Sequence, residues 1–170
     1  SSNLNRYDGI RYGYRSKNGN NTEEMIKDTR SEGFGEEVKR RIMIGTYVLS
    51  HGYYDSYYLK AQKIRNLISL DFHKVFKKCD IIASPVTSSF AFNFGDKVKN
   101  PVDMYMSDFF TIPASLAGLP AMSIPCGISS NNRPIGLQLM ANHFHEAKLL
   151  GVAHQFQKNS DWHLKNPPNI

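Results

Sequence analysis

The sequence predicts an α/β fold in packed layers, and three observations carry that prediction. Apolar residues recur at helical spacing over two long windows in the first half of the chain. Short apolar runs, CDIIASP, AMSIPC and IGLQLMA, follow and are bounded by prolines and turn residues. A further helical window, HEAKLLGVAHQFQK, comes near the end. Helices alternating with short buried strands call for a sheet with helices packed on it.

Taken in order, residues 1–34 are polar and turn-rich, and the expectation is an irregular segment. RYDGIRYGYRSKNGNN interleaves Arg6, Arg11, Arg15 and Lys17 with Tyr7, Tyr12 and Tyr14. Such a pattern suits a nucleic-acid arm, or tyrosines packed against a neighbouring element. Glu36 and Glu37 open the first helix, since acidic residues in a first turn complement the helix dipole. Val38, Ile42, Gly45, Val48 and Leu49 form its apolar stripe, and His51-Gly52 stops it. A second helix is predicted over about residues 54–78, from Tyr57, Ala61, Ile64, Ile68, Phe72 and Val75.

Asp80–Ser84 reads as a buried strand ended by Pro85, and 86–102 as a loop. A short helical turn precedes Leu119-Pro120. Strands follow at 121–126 and 135–141, joined by the turn GISSNNRP. The last helix, 145–158, shows Ala147, Leu150, Val152, Ala153 and Phe156 at helical period, and NPPNI ends the pattern.

With 170 residues, 41% hydrophobic and 21% charged, the chain suits one globular domain with a substantial core. The net charge of +6 admits a polyanionic partner or only a lysine-rich background. Cys79 and Cys126 lie in apolar surroundings, which predicts buried, reduced thiols and no disulfide framework. No apolar run reaches the ~18–20 residues needed to cross a bilayer. SSNLNRYDG lacks the character of a signal peptide and does not start with Met, so the expectation is a cytoplasmic or processed organellar protein, or a piece of a longer one.

Most site templates are absent: no G-x-S-x-G elbow, no S-x-x-K pair, no Gly-rich phosphate loop. His143 and His145 would share one face of a strand, but no Cys, Asp or Glu stands beside them at metal spacing. Two charges stand out. Arg41 falls on the stripe of Val38, Gly45 and Val48, so a guanidinium points along a face meant to be buried. It either pairs with a protein carboxylate or offers a planar fork to a ligand carboxylate. Asp108, in MYMSDFFTIP, has apolar and aromatic neighbours. It either caps the short helical turn or accepts a ligand ammonium. A buried Arg and a buried Asp together could hold the two ends of an α-amino acid.

GFGEEVKRRIMIGTYVLSHGYYDSYYLKAQKIR, DIIASPVTSSFAF, SDFFTIPASLAGLPAMSIPCG and RPIGLQLMA resemble the C-terminal part of the amidase signature family. Within it they are similar to the glutaminase subunits of tRNA-dependent amidotransferases. The similarity runs in order over nearly the whole of residues 1–170. It implies the C-terminal portion of that fold, a mixed β-sheet covered by helices. It also implies an enzyme that releases ammonia from glutamine, so that partner subunits of the B and C type can amidate a mischarged Glu-tRNA or Asp-tRNA. ATP and Mg would be used by the full complex, with no cofactor held by this chain.

The family's Ser–Ser–Lys machinery lies in a Gly/Ser-rich signature that this sequence lacks, so no catalytic residue is assigned here. The substrate-binding residues do carry over. The position of the family's Arg that binds the glutamine α-carboxylate is Arg41, and that of the Asp that binds the α-ammonium is Asp108. The breaker-rich stretch 107–127 would then lead from a pocket wall into the sheet. Two other readings stand beside this one: a stand-alone α/β module with a basic RNA-contacting arm, and a piece of another amidase-signature hydrolase. A simple amide offers neither a carboxylate nor an ammonium for Arg41 and Asp108, which speaks against the last.

Overall fold

The structure, a computed structural model, describes residues 2–95 and 101–166. The chain forms two compact units, Ser1–Lys63 and Ile64–Ile170.

In the first unit a helix occupies Thr22–Gly33 (α1), inside the stretch expected to be irregular. Its start is signalled locally. The Asn21 side chain accepts the Glu24 N–H at 3.0 Å, and the Glu24 carboxylate accepts the Asn20 N–H at 2.9 Å. This is a capping box in all but one position. Only Met25 and Thr29 of α1 are buried, so there was no apolar stripe to read.

The preceding segment lies along this helix. The Ser16 N–H donates to Thr29 Oγ1 at 2.9 Å, and Arg30 Nη1 donates to the carbonyls of Leu4 and Tyr7 at 3.1 and 3.2 Å. The Tyr14 hydroxyl donates to Glu32 at 2.7 Å. Gly9 has φ +78°, and a Cβ there would sit 2.9 Å from Thr29, so this approach requires glycine. Tyr14 thus bonds to protein, but the packing expected of the arm's tyrosines is partial, for Tyr7, Tyr12 and Tyr14 are all exposed.

Asp8 anchors the turn before α1. Its carboxylate accepts the N–H groups of Ile10 and Arg11 at 3.0 and 2.9 Å and the Arg11 guanidinium at 2.8 Å. The Arg11 N–H, then the Ile10 N–H, then the guanidinium hold its pKa down at about 2, from an ordinary 3.8. A depressed carboxylate stabilises the fold fully above its unfolded pKa and loses that contribution as pH falls through the folded one. The protection factors of the Ile10 and Arg11 amides, which remove the intrinsic pH dependence of exchange, are therefore expected to hold from neutral pH to about 4 and to fall on approach to pH 2. In Asp8→Asn the acid step should vanish; a step that persists there would assign it to another group.

The second helix, Glu36–Val48 (α2), matches its prediction closely, with Val38, Ile42, Gly45 and Val48 half-buried. The single helix expected over 54–78 is instead two pieces. A π-helical turn, Tyr54–Leu59, leads into Lys60–Val75 (α3). Tyrosines crowd this junction: Tyr47 and Tyr53 stand 4.4 Å apart between ring centroids, Tyr54 and Tyr58 4.8 Å.

The second unit is built on three strands, Ile81–Pro85 (β1), Ala121–Ile128 (β2) and Pro134–Ala141 (β3), in the order β1-β3-β2. The α/β architecture is as expected, and both pairings here are antiparallel, with Ile81 opposite Ala141 and Ala121 opposite Met140. β2 and β3 form a hairpin; β2 is bulged between Pro125 and Gly127, where proline has no N–H to give to the ladder. Two short helices precede β2: Pro101–Met106 (α4), at the end of the predicted loop, and Ile112–Ala117 (α5). Residues 96–100 of that loop, and the stop at 167–170, lie outside the described residues.

The last helix, Glu146–Lys158 (α6), packs Leu149 and Ala153 on Ile124, Leu139 and Ala141. Its expected stripe was rotated, for Leu150 and Val152 are exposed and Leu149 is buried. Alternation along β3 sends Leu137, Leu139 and Ala141 to the α6 face and Gln138 and Met140 to the other. All four residues from Gln138 to Ala141 are buried, as a central strand covered on both faces requires.

His143 and His145 follow the end of β3 and do not share a strand face. Cys79 and Cys126 are both free thiols, half-buried where full burial was expected.

Candidate functional site

Arg41 is on α2 in the first unit. Its side chain is 64% exposed, and its Nε donates to Glu37 Oε1 at 3.0 Å, one turn earlier. The expectation of a buried guanidinium is therefore corrected. The stripe of α2 is only half-covered, and Arg41 lies at its margin, where a long side chain reaches water. An exposed i,i+4 pair of this kind is worth about 0.3–0.5 kcal/mol. Such a pair orients the guanidinium at little cost to its exchange for a better carboxylate.

Asp108 is in the second unit, in the turn between α4 and α5, and it too is exposed where burial was expected. The capping role falls to its backbone. The Asp108 carbonyl accepts the Thr111 and Ile112 N–H groups at 3.1 and 3.0 Å and the Thr111 hydroxyl at 3.2 Å. Thr111 holds the N-cap position of α5. Among the described residues the Asp108 carboxylate makes no hydrogen bond or ion pair. Phe109 and Phe110 meet edge to face beside it, with centroids 5.3 Å apart.

The stretch after Asp108 is held from outside by its carbonyls. Gln138 Nε2 on β3 donates to the Phe110 carbonyl at 2.9 Å. Arg65 Nε on α3 donates to the Leu116 carbonyl at 2.7 Å, and His143 Nε2 donates to that of Ala117 at 3.0 Å. Gly118 then turns the chain at φ +72°, and Ala114, Ala117 and Leu119 are buried. Small residues allow this close approach, and Arg65 and His143 satisfy carbonyls that the C-terminal turn of α5 leaves open. Sequence reading did not single out Gln138 or Arg65. The signal for Gln138 was present: one amide inside the otherwise apolar IGLQLMA.

Elsewhere, a cavity of about 560 Å³ opens beside the β2–β3 hairpin, lined by Pro125, Ile128, Pro134, Trp162 and Lys165 among others, and Asp108 is not part of it. Among the described residues no group of three His, Cys, Asp or Glu side chains is placed to hold a metal ion. No described helix is long and apolar enough to cross a membrane.

Comparison with known proteins places this arrangement in a family. The chain is 59% identical, over 98% of its length, to the A-type subunit of glutamyl-tRNA(Gln) amidotransferase of Chromobacterium violaceum, and 58% identical over 99% to that of Nitrosomonas europaea. It spans about 35% of the length of those relatives, their C-terminal part. The crystal structure of the corresponding glutamyl-tRNA(Gln) amidotransferase protein from Thermotoga maritima superposes with a TM-score of 0.61 and 46% identity, covering 81% of this chain and 30% of that one. The family model described as Amidase matches residues 1–150. The chain belongs to the amidase family.

Proposed function

We propose that this chain is the C-terminal third of a glutamine-hydrolysing subunit of a tRNA-dependent amidotransferase, and that Arg41 and Asp108 bind the two ends of glutamine. The identity of 59% over nearly the whole chain to the A-type subunit of a glutamyl-tRNA(Gln) amidotransferase carries this reading. In it, the Arg41 guanidinium meets the α-carboxylate through two parallel N–H···O bonds, either replacing or sharing its bond to Glu37. The Asp108 carboxylate accepts the α-ammonium. Together they discriminate glutamine from simple amides, because a ligand lacking either charge leaves its partner unmatched.

The serine nucleophile and its lysine would be supplied by the part of the subunit that this sequence does not contain. A Ser–Ser–Lys arrangement works by passing a proton through the bridging serine to a neutral lysine. Released ammonia would pass to partner subunits of the B and C type, which would hold the mischarged tRNA and use ATP and magnesium to activate it. This chain offers no Gly-rich phosphate loop for that step. Cytoplasmic translation is the setting this implies.

The simplest test uses the 170-residue chain itself. Incubated with glutamine, it is expected to release no ammonia above the buffer rate, whereas the full-length subunit in its complex does. Ammonia released in proportion to the isolated chain, and lost with Asp108→Ala, would show that the chemistry resides here and would overturn the assignment.

A further inference from the structure

We infer that Gln138 is a positioning residue for Asp108, fixing through the Phe110 carbonyl the direction in which the Asp108 carboxylate points; this rests on the glutamine-binding reading above. Gln138 is 5% exposed, in the middle of a strand whose other buried residues are apolar. Burying an amide among apolar side chains is unfavourable unless its donors are used. Both are used. Nε2 donates to Ser84 Oγ on β1 at 3.1 Å and to the Phe110 carbonyl at 2.9 Å. The first bond lies within the sheet, joining adjacent strands at the paired positions Ser84 and Gln138. The second leaves the sheet for the segment that carries Asp108.

The segment is short enough for that one bond to matter. Asp108 accepts from Thr111 and Ile112 through its own carbonyl, so residues 108–112 form one tight turn. Phe110 lies at the centre of that turn. Holding its carbonyl fixes how the turn sits on the sheet, and with it the direction of the exposed carboxylate two residues earlier. Arg65 and His143 hold only the far end, at Leu116 and Ala117. Leucine or methionine at position 138 would fill the same space on the sheet face. What only an amide supplies is the donor to Phe110.

The test is Gln138→Met in the full-length subunit within its complex, compared with Asp108→Ala and the double variant. The variant removes the bonds to Ser84 and Phe110 together, and the loss at Phe110 should raise KM for glutamine about five- to tenfold. The kcat at saturating glutamine and the amidation rate with ammonia supplied directly should stay within about twofold of the parent, because a displaced carboxylate weakens binding and leaves the chemistry alone. In the Asp108→Ala background Gln138→Met should add nothing further, since it acts through Asp108. Gln138→Asn, which keeps the amide but shortens its reach, should fall between, and it carries the same test should the methionine variant fail to assemble. An unchanged KM in Gln138→Met beside a raised KM in Asp108→Ala overturns the positioning role alone. Unchanged KM in Asp108→Ala removes the glutamine-binding reading and this inference with it. Equal losses with glutamine and with ammonia would make Gln138 a fold residue only.

Discussion

Replacing Arg41 or Asp108 by alanine in the full-length subunit is expected to cut glutamine-dependent amidation by roughly thirtyfold to several thousandfold. The magnitude follows from the type of contact. Removing one partner of a charge-assisted pair leaves the ligand's other charge poorly matched, a penalty of about 2–5 kcal/mol. At ~1.4 kcal/mol per tenfold change, this converts directly into the range given. The fold should be little affected. Arg41 is exposed and gives up a solvent-facing pair with Glu37, and Asp108 keeps the backbone carbonyl that organises its turn. Arg41→Lys should restore only part of the loss, since an ammonium cannot reproduce a planar two-point fork. Ammonia supplied in place of glutamine should bypass both defects, because it requires no amino-acid pocket. Equal loss with both nitrogen donors would assign the two residues to structure.

Why the elements were readable but the site's environment was not has a physical answer. Helix α2 and the strands β1, β2 and β3 declare themselves because each turns one side at least partly away from water, and that imposes periodicity. Helix α1 does not. It owes its position to the Asn21 cap and to hydrogen bonds from the preceding turn, with just Met25 and Thr29 buried. On α6 the apolar residues are too many for the period to choose between Leu149 and Leu150, and only packing on Ile124 and Leu139 decides.

Arg41 and Asp108 attracted notice because a charge among apolar residues is costly if enclosed, and the expectation of burial followed from the neighbouring residues alone. Accessibility, however, is set by what covers an element, and α2 is covered on one side only. Gln138 illustrates the reverse case. It is an amide in an apolar strand whose donors reach Ser84 and Phe110, positions 54 and 28 residues away in sequence. Contacts at that separation leave no periodic trace.

The 170-residue chain on its own is expected to be marginally stable and to associate. Two compact units of 63 and 107 residues would together expose about 10,000 Å². The chain exposes 12,745 Å², about a quarter more than that. Much of that surface is apolar: on α2, Met43 is 72% and Ile44 53% exposed, and on α3, Leu67 is 60% exposed. Against this, the fully buried cluster of the second unit consists of Ile124, Leu139, Ala141, Leu149 and Ala153. In the sheet order β1-β3-β2 both outer strands have an edge unpaired within the sheet. Unpaired edges and contiguous apolar faces are what other chains add to. Light scattering should therefore show mass rising above 19.3 kDa as concentration increases, and heating should give a broad, irreversible transition. Co-expression with the remaining two thirds of the subunit should suppress association, because that part competes for the same edges and faces. A strictly monomeric species with one sharp, reversible transition would mean that these surfaces are stable in water as they are, and that the chain needs no covering partner.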